Sequence, residues 1–214
     1  MKYLEERQEL ISYGKKMKEE GLAPGTSGNL SVFLKEENLV LISPSGIDYF
    51  DLREEDLVLI DLDGNVIEGD KKPSSEWFLH TSFYKNRDDI FAIVHTHSMY
   101  CACLAAMRMP ILAVHYVLAD ANTNRVPCAP YERYGSKSLA KKAVETCGES
   151  KGVLLANHGL VTLGEDLKSA FNLAKTLEYV AEIQVRTMAI GRPFVLNKKE
   201  MDQVIDAFKG YGQK

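Results

Sequence analysis

Ile90-Phe91-Ala92-Ile93-Val94-His95-Thr96-His97 is an apolar run that closes on two histidines one residue apart. A run of this length and composition reads as a buried strand. In a strand, residues i and i+2 point to one face, so His95 and His97 can present two imidazoles to one ion. A second apolar run, Val153-Leu154-Leu155-Ala156, leads into Asn157-His158-Gly159, where a strand gives way to a turn. His158 could supply a third imidazole from a neighbouring strand. That leaves room for a carboxylate, water or substrate, as in a catalytic zinc site. The chain has five histidines, and three of them stand at these two places.

Outward from these runs, strands and helices interleave. Residues 3–20 alternate charges with Leu4, Leu10, Ile11, Tyr13 and Met17, a helical spacing that ends at Gly21. Residues 30–33 and 39–43 read as strands around a polar turn. Residues 57–62 and 66–68 form a hairpin across Asp63-Gly64-Asn65, suited to a tight turn. Pro73-Ser74-Ser75-Glu76 opens a helix, with serine as the N-cap and glutamate in the first turn. The strand at 90–95 comes next, then a helix from about Met99 and a proline-rich crossing at 126–130. Further helices are expected near 136–147, 166–190 and 198–209, with a strand at 152–156. The early hairpins exclude a purely parallel sheet. The expected fold class is α/β, a three-layer α/β/α sandwich on a mixed, largely antiparallel sheet, with residues 1–214 as one domain.

Apolar residues make up 45% of the 214, charged residues 26%, and the formal net charge is -4. That balance, without a Lys/Arg block, argues against nucleic-acid binding. The N-terminus lacks the apolar core of a signal peptide, and residues 99–107 are too few to span a bilayer. A soluble cytoplasmic chain that does not engage membranes is expected. The four cysteines form no C-x-x-C pair and read as reduced thiols. Cys101 and Cys103 lie near His97, but i and i+2 on a helix do not share a face, so they read as packing residues.

Glu76 offers a carboxylate to join His95, His97 and His158. Three imidazoles and one carboxylate suit a borderline ion such as Zn²⁺, and also Mn²⁺, Co²⁺ or Fe²⁺. Thr26-Ser27-Gly28-Asn29, Ser43-Pro44-Ser45-Gly46 and Ser74-Ser75 are three small hydroxyl-rich turns. Such turns let the backbone approach an anion closely, and successive N–H groups hold phosphate without a lysine. The last of them abuts Glu76, which points to a phosphate held beside a metal.

Together with His115-Tyr116, Pro127-Cys128-Ala129-Pro130-Tyr131, Asn157-His158-Gly159-Leu160 and the Phe208…Tyr211-Gly212 tail, these motifs run nearly the length of the chain. In them the chain resembles the class II sugar-phosphate aldolase family, and its fuculose-phosphate branch most. The resemblance implies one Zn²⁺ per subunit and a homotetramer with active sites between subunits. It also implies reversible cleavage of L-fuculose 1-phosphate to dihydroxyacetone phosphate and L-lactaldehyde. Glu76 would leave the ion to serve as general base or acid, and Tyr116 would exchange a proton with the aldehyde oxygen from a neighbouring subunit. Tyr211 would join them from the tail. Thr26, Gly28, Asn29, Ser45, Gly46, Ser74 and Ser75 would grip the phosphate, with Tyr134 and Phe208 covering the aldehyde end.

Asp120 departs from that branch, which is apolar there. The related L-ribulose-5-phosphate 4-epimerases carry an acid at a corresponding spacing and use a tail tyrosine. Epimerase chemistry breaks and remakes the same bond, so a metal site alone does not separate the two. His115-Tyr116 and Pro130-Tyr131…Tyr134-Gly135 follow the aldolase pattern. A cupin barrel would place its glutamate after the H-x-H and lack the long helices. A non-enzymatic scaffold of the same fold would lack the four ligand candidates.

Overall fold

A computed structural model describes residues 2–208. The chain begins with α1 (Leu4–Glu19), then β1 (Asn29–Leu34), β2 (Leu39–Ile42), β3 (Val58–Asp61) and β4 (Val66–Glu68). α2 (Trp77–Asn86), β5 (Ala92–Thr96) and α3 (Met99–Ala106) follow. β6 (Ile111–Leu112), a 3-10 segment (Tyr116–Ala121), β7 (Arg125–Val126) and β8 (Cys128–Ala129) lead to α4 (Lys137–Cys147). The chain then runs through β9 (Gly152–Leu155), β10 (Gly159–Gly164), α5 (Leu167–Met188) and α6 (Lys198–Phe208).

Eight strands form the central sheet in the order β4-β3-β2-β1-β5-β10-β9-β8. Every neighbouring pair in it is antiparallel except β8 with β9. β6 and β7 pair separately. Side-chain alternation assigns the two faces. Leu30, Ala92, Val94, Leu154 and Leu160 pack with α1, α3, α5 and α6. Val40, Ile93, Val153, Val161 and Leu163 pack with α2 and α4. All five residues of β5 are buried, as befits a strand covered on both faces. The fold is therefore the expected α/β/α sandwich on a largely antiparallel sheet.

The helices form where apolar spacing and capping agree. α5 buries Leu167, Ala170, Phe171, Ala174, Leu177 and Ala181 along one stripe. Asp166 accepts from the Ser169 N–H at 2.6 Å while its own N–H donates to the Ser169 hydroxyl at 3.2 Å, a reciprocal cap. Ser136 caps α4 by accepting from the Leu139 N–H at 3.1 Å. No helix among the described residues is long and apolar enough to cross a membrane.

Two local expectations change. α2 starts at Trp77 with Glu76, not a serine, at the N-cap position, and the Glu76 side chain makes no capping bond. The Ser74 hydroxyl instead accepts from the Glu76 N–H at 3.2 Å. The other change is β10, on a segment where the patterning above marks no element. Gly-Leu-Val-Thr-Leu-Gly is short and glycine-bounded, and pairing on both edges, with β5 and β9, makes it a strand.

Candidate active site

Strand register assembles the site. Asn29 of β1 and Val161 of β10 both pair with His95 of β5. His95 is therefore central in the sheet, wholly buried, on the face covered by α2. His97 lies just beyond the end of β5. His158 stands in the turn between β9 and β10, where Asn157 takes a left-handed conformation (φ 55°). Glu76 enters from the start of α2.

Glu76, His95, His97 and His158 each bring a donor atom to one place, all within 4.8 Å of one another. The three imidazoles meet edge to face, with centroids 4.8, 4.8 and 4.9 Å apart and interplanar angles of 77°, 78° and 76°. Gly159 permits this. A Cβ there would lie 2.2 Å from the Thr96 carbonyl and 3.0 Å from the His97 ring. Gly28 is equally constrained, with φ +78° and a Cβ position 2.9 Å from the His95 carbonyl.

Tautomers follow from the hydrogen bonds. His95 Nδ1 lies 2.9 Å from the Leu160 carbonyl, which can only accept, so Nδ1 carries hydrogen. Nε2 is then the atom turned to the cluster. It lies 3.0 Å from Glu76 Oε2 and 3.0 Å from His97 Nε2, and His158 Nε2 is 3.6 Å from Glu76 Oε1. Burial penalises charge on all four groups. On His95 the Glu76 carboxylate outweighs that penalty, and its pKa is raised. Burial pushes His97 down to about 3, helped by His95 and His158. Burial with the neighbouring His95 lowers His158 to about 4. Burial would raise Glu76, but His95, His158 and the Asn29 amide hold its carboxyl well below the usual range.

This donor set fits a divalent cation. Glu76 Oε1 is buried without a hydrogen-bond partner, a deficit worth ~1–3 kcal/mol. Ring nitrogens and a carboxylate converge where only a proton or a metal can relieve lone-pair repulsion. Three nitrogens and an oxygen are a ligand set typical of catalytic zinc. The group contains no cysteine. Cys101 is buried in the core beside Leu104.

A cavity of about 340 Å³ opens over the cluster. Thr26, Gly28, Asn29, Ser45, Gly46, Ser74, Ser75 and Tyr134 line it with Glu76, His97 and His158, so these candidates are brought together. Among the described residues no lysine or arginine lines it, which leaves neutral donors for an anion. Two of those donors are already used. The Ser45 N–H donates to the Lys72 carbonyl and the Ser74 N–H to the Ser43 carbonyl, both at 3.0 Å. These bonds clamp the two serine turns together, so Ser45 and Ser74 offer the cavity hydroxyls rather than amides.

Tyr116 and Phe208 do not reach this cavity within one chain. Their rings meet at 6.2 Å beside Asp120, in a separate cavity, and Tyr116 is half exposed. Asp120 accepts from the Thr176 hydroxyl at 3.2 Å, which ties it to α5. Tyr211 lies outside the described residues. Sequence reading missed several residues: Tyr131, Glu132 and Asn157 line the cavity, and His80 is buried behind Asn29. The available signal for His80 was its position one helical turn after Glu76, on the same face of α2.

Residues 8–185 match the family described as Class II Aldolase and Adducin N-terminal domain. The chain is 47% identical over 209 residues to a 5-deoxy-D-ribulose 1-phosphate aldolase of Bacillus thuringiensis serovar kurstaki, covering 98% of each chain. It is 39% identical to an L-fuculose phosphate aldolase of Haemophilus influenzae, covering 96% of this chain and 94% of that one. A solved L-fuculose 1-phosphate aldolase superposes with a TM-score of 0.93 at 46% identity, covering 95% of each.

Proposed function

The chain belongs to the class II aldolase and adducin N-terminal domain family, and from that membership we propose that it is a metal-dependent aldolase cleaving a deoxyketose 1-phosphate between C3 and C4. The observation that carries the reading is the convergence of His95, His97, His158 and Glu76 at the floor of a cavity rimmed by neutral donors. The products are dihydroxyacetone phosphate and a short methyl-terminated aldehyde. The preferred substrate is 5-deoxy-D-ribulose 1-phosphate, on the strength of the 47% relative, which gives acetaldehyde. L-Fuculose 1-phosphate, expected from the sequence motifs, shares its phosphate, ketone and C3 hydroxyl and gives L-lactaldehyde.

An ion held by this donor set, which suits Zn²⁺, would supply a Lewis acid for the negative charge that develops on the ketone side of the breaking bond. His95, His97 and His158 hold it, with Glu76 as the fourth ligand. The hydroxyls of Ser45, Ser74 and Ser75 and the amides of Asn29 and Gly46 fix the phosphate, with Thr26 and Gly28 shaping the loop. In cleavage the C4 hydroxyl gives up its proton, the C4 carbonyl forms, and the C3–C4 electron pair passes toward the C2 carbonyl. The proton released from the C4 hydroxyl passes to solvent, and Glu76, ionised while it is a ligand, takes one up from solvent once off the ion and delivers it to C3, so cleavage is proton-neutral. Tyr116 serves the C4 oxygen, with Tyr211 assisting, and Tyr134 and Phe208 shield the aldehyde from water. Because Tyr116 and Phe208 stand apart from the cluster in one chain, a neighbouring copy provides them, in a homotetramer. The Asp120–Thr176 bond gives the acid a tether in the fold, so the epimerase reading gains nothing from it.

One preparation assayed on 5-deoxy-D-ribulose 1-phosphate, L-fuculose 1-phosphate, L-rhamnulose 1-phosphate and L-ribulose 5-phosphate tests the reading. Release of aldehyde and dihydroxyacetone phosphate, fastest from the first, is expected. Epimerisation of the last without aldehyde release would refute it.

A further inference from the structure

Behind the cluster runs a continuous line of polar groups, of which the chemistry above uses only the Glu76 and Asn29 end. Asn29 Nδ2 lies 3.2 Å from Glu76 Oε2, and Asn29 Oδ1 lies 2.5 Å from His80 Nε2. His80 Nδ1 is 2.6 Å from the Ser31 hydroxyl, which is 2.7 Å from the Tyr84 hydroxyl. Tyr84 also reaches the Ser31 carbonyl at 3.1 Å. All four residues are buried, Ser31 and His80 completely. The register explains the line. Asn29 and Ser31 are alternate residues of β1, pairing with His95 and Ile93, and α2 lays His80 and Tyr84 over them.

The direction of each bond follows from the carboxylate end. An ionised Glu76 has no hydrogen to give, so Asn29 must turn its nitrogen toward it. The Asn29 oxygen then faces His80, and as an acceptor it requires hydrogen on Nε2. A neutral ring with hydrogen on Nε2 leaves Nδ1 bare to accept from the Ser31 hydroxyl, and the single Tyr84 hydrogen is shared between the Ser31 hydroxyl and carbonyl oxygens. Moving the hydrogen to Nδ1 would break this order, because Nε2 would then face the Asn29 oxygen with no hydrogen between them. Flipping the amide to correct that would set its oxygen against the carboxylate. His80 is completely buried, so no water relieves the first conflict, and the second sets two acceptors against each other with no hydrogen between them.

We propose that Tyr84, Ser31 and His80 form a one-way hydrogen-bond relay that orients the Asn29 carboxamide and, through it, holds Glu76 in place as a ligand, which makes His80 a positioning residue for the ion. The inference rests on the metal reading above. Partners of this kind behind metal ligands typically carry ~10–100-fold in metal affinity.

Zn²⁺ affinity, measured by competition with a chromogenic chelator, and the melting temperature of the metal-free protein are compared for wild type, His80→Asn and His80→Gln. Asparagine ends near the Nδ1 position and cannot reach Asn29. Glutamine carries its amide nitrogen to where Nε2 stands. His80→Asn is expected to bind Zn²⁺ about tenfold or more weaker than His80→Gln. Equal affinities, with both variants merely melting lower, would overturn the positioning role. A long-range ¹H–¹⁵N spectrum of wild type needs no variant to fold and should show His80 with its hydrogen on Nε2. Hydrogen on Nδ1 in a wild type that binds Zn²⁺ would refute the relay alone. A wild type that takes up no Zn²⁺ would refute the metal reading, and the relay with it.

Discussion

Asn29 pairs directly with His95 across β1 and β5, and both side chains contact the same Glu76 oxygen, Oε2, at 3.2 Å and 3.0 Å. The other carboxylate oxygen is buried and unbonded. Glu76 is thus gripped on one side and open on the other, a posture suited to a ligand that must also leave the ion to move a proton.

Glu76→Gln keeps the size of the side chain and removes its basicity. Exchange of the dihydroxyacetone phosphate C3 proton with solvent, followed by NMR in D₂O, should fall by ~10²–10⁴. An unchanged exchange rate would remove Glu76 from proton transfer.

Protonation sets the pH dependence of the metal-free protein. His95 has a raised folded pKa, so its stabilisation is fully present below its unfolded value of 6.5 and is lost as pH rises through the folded value. His97 and His158, lowered to about 3 and about 4, are neutral in both states above that point and add no slope. A bound divalent ion takes the place of the proton beside Glu76. The gain in melting temperature from saturating Zn²⁺ should therefore widen as pH rises above 6.5. A gain that stays constant or shrinks would contradict the charge assignment.

Gly159→Ala would press a Cβ within 2.2 Å of the Thr96 carbonyl. Backbone cannot yield there without parting β10 from β5, so stability should drop by ~1–3 kcal/mol. A urea midpoint equal to that of wild type would show that the two strands tolerate separation.

Much of this arrangement was legible in the chain. Apolar runs ending in His95-Thr96-His97 and before His158 marked buried strands and three members of the His/Glu cluster, because burial and side-chain alternation are local properties. Serine turns pointed to the lining of one cavity for the same reason. β10 was not legible, since six residues bounded by glycines become a strand only between β5 and β9. His80 drew no reading from the sequence, because its meaning depends on β1 lying beneath α2. The used-up amides of Ser45 and Ser74 likewise depend on a loop-to-loop clamp that no single segment encodes.

Separation of Tyr116 from the cluster makes a complementation test decisive. Tyr116→Phe and Glu76→Gln should each lose cleavage activity. Subunits of the two variants, unfolded and reassembled together, should regain about a quarter of wild-type sites, since random pairing reunites an intact Tyr116 with an intact Glu76 in that share. No recovery would place Tyr116 and Glu76 of one site on the same chain.

The central claim concerns what His95, His97, His158 and Glu76 hold between them. X-ray absorption at the zinc edge, on protein loaded with one equivalent of Zn²⁺, reads that shell directly. The account predicts three imidazole nitrogens and one or two oxygens at about 2.0–2.2 Å, with no sulfur. A sulfur shell near about 2.3 Å, or a spectrum lacking imidazole scattering, would contradict it.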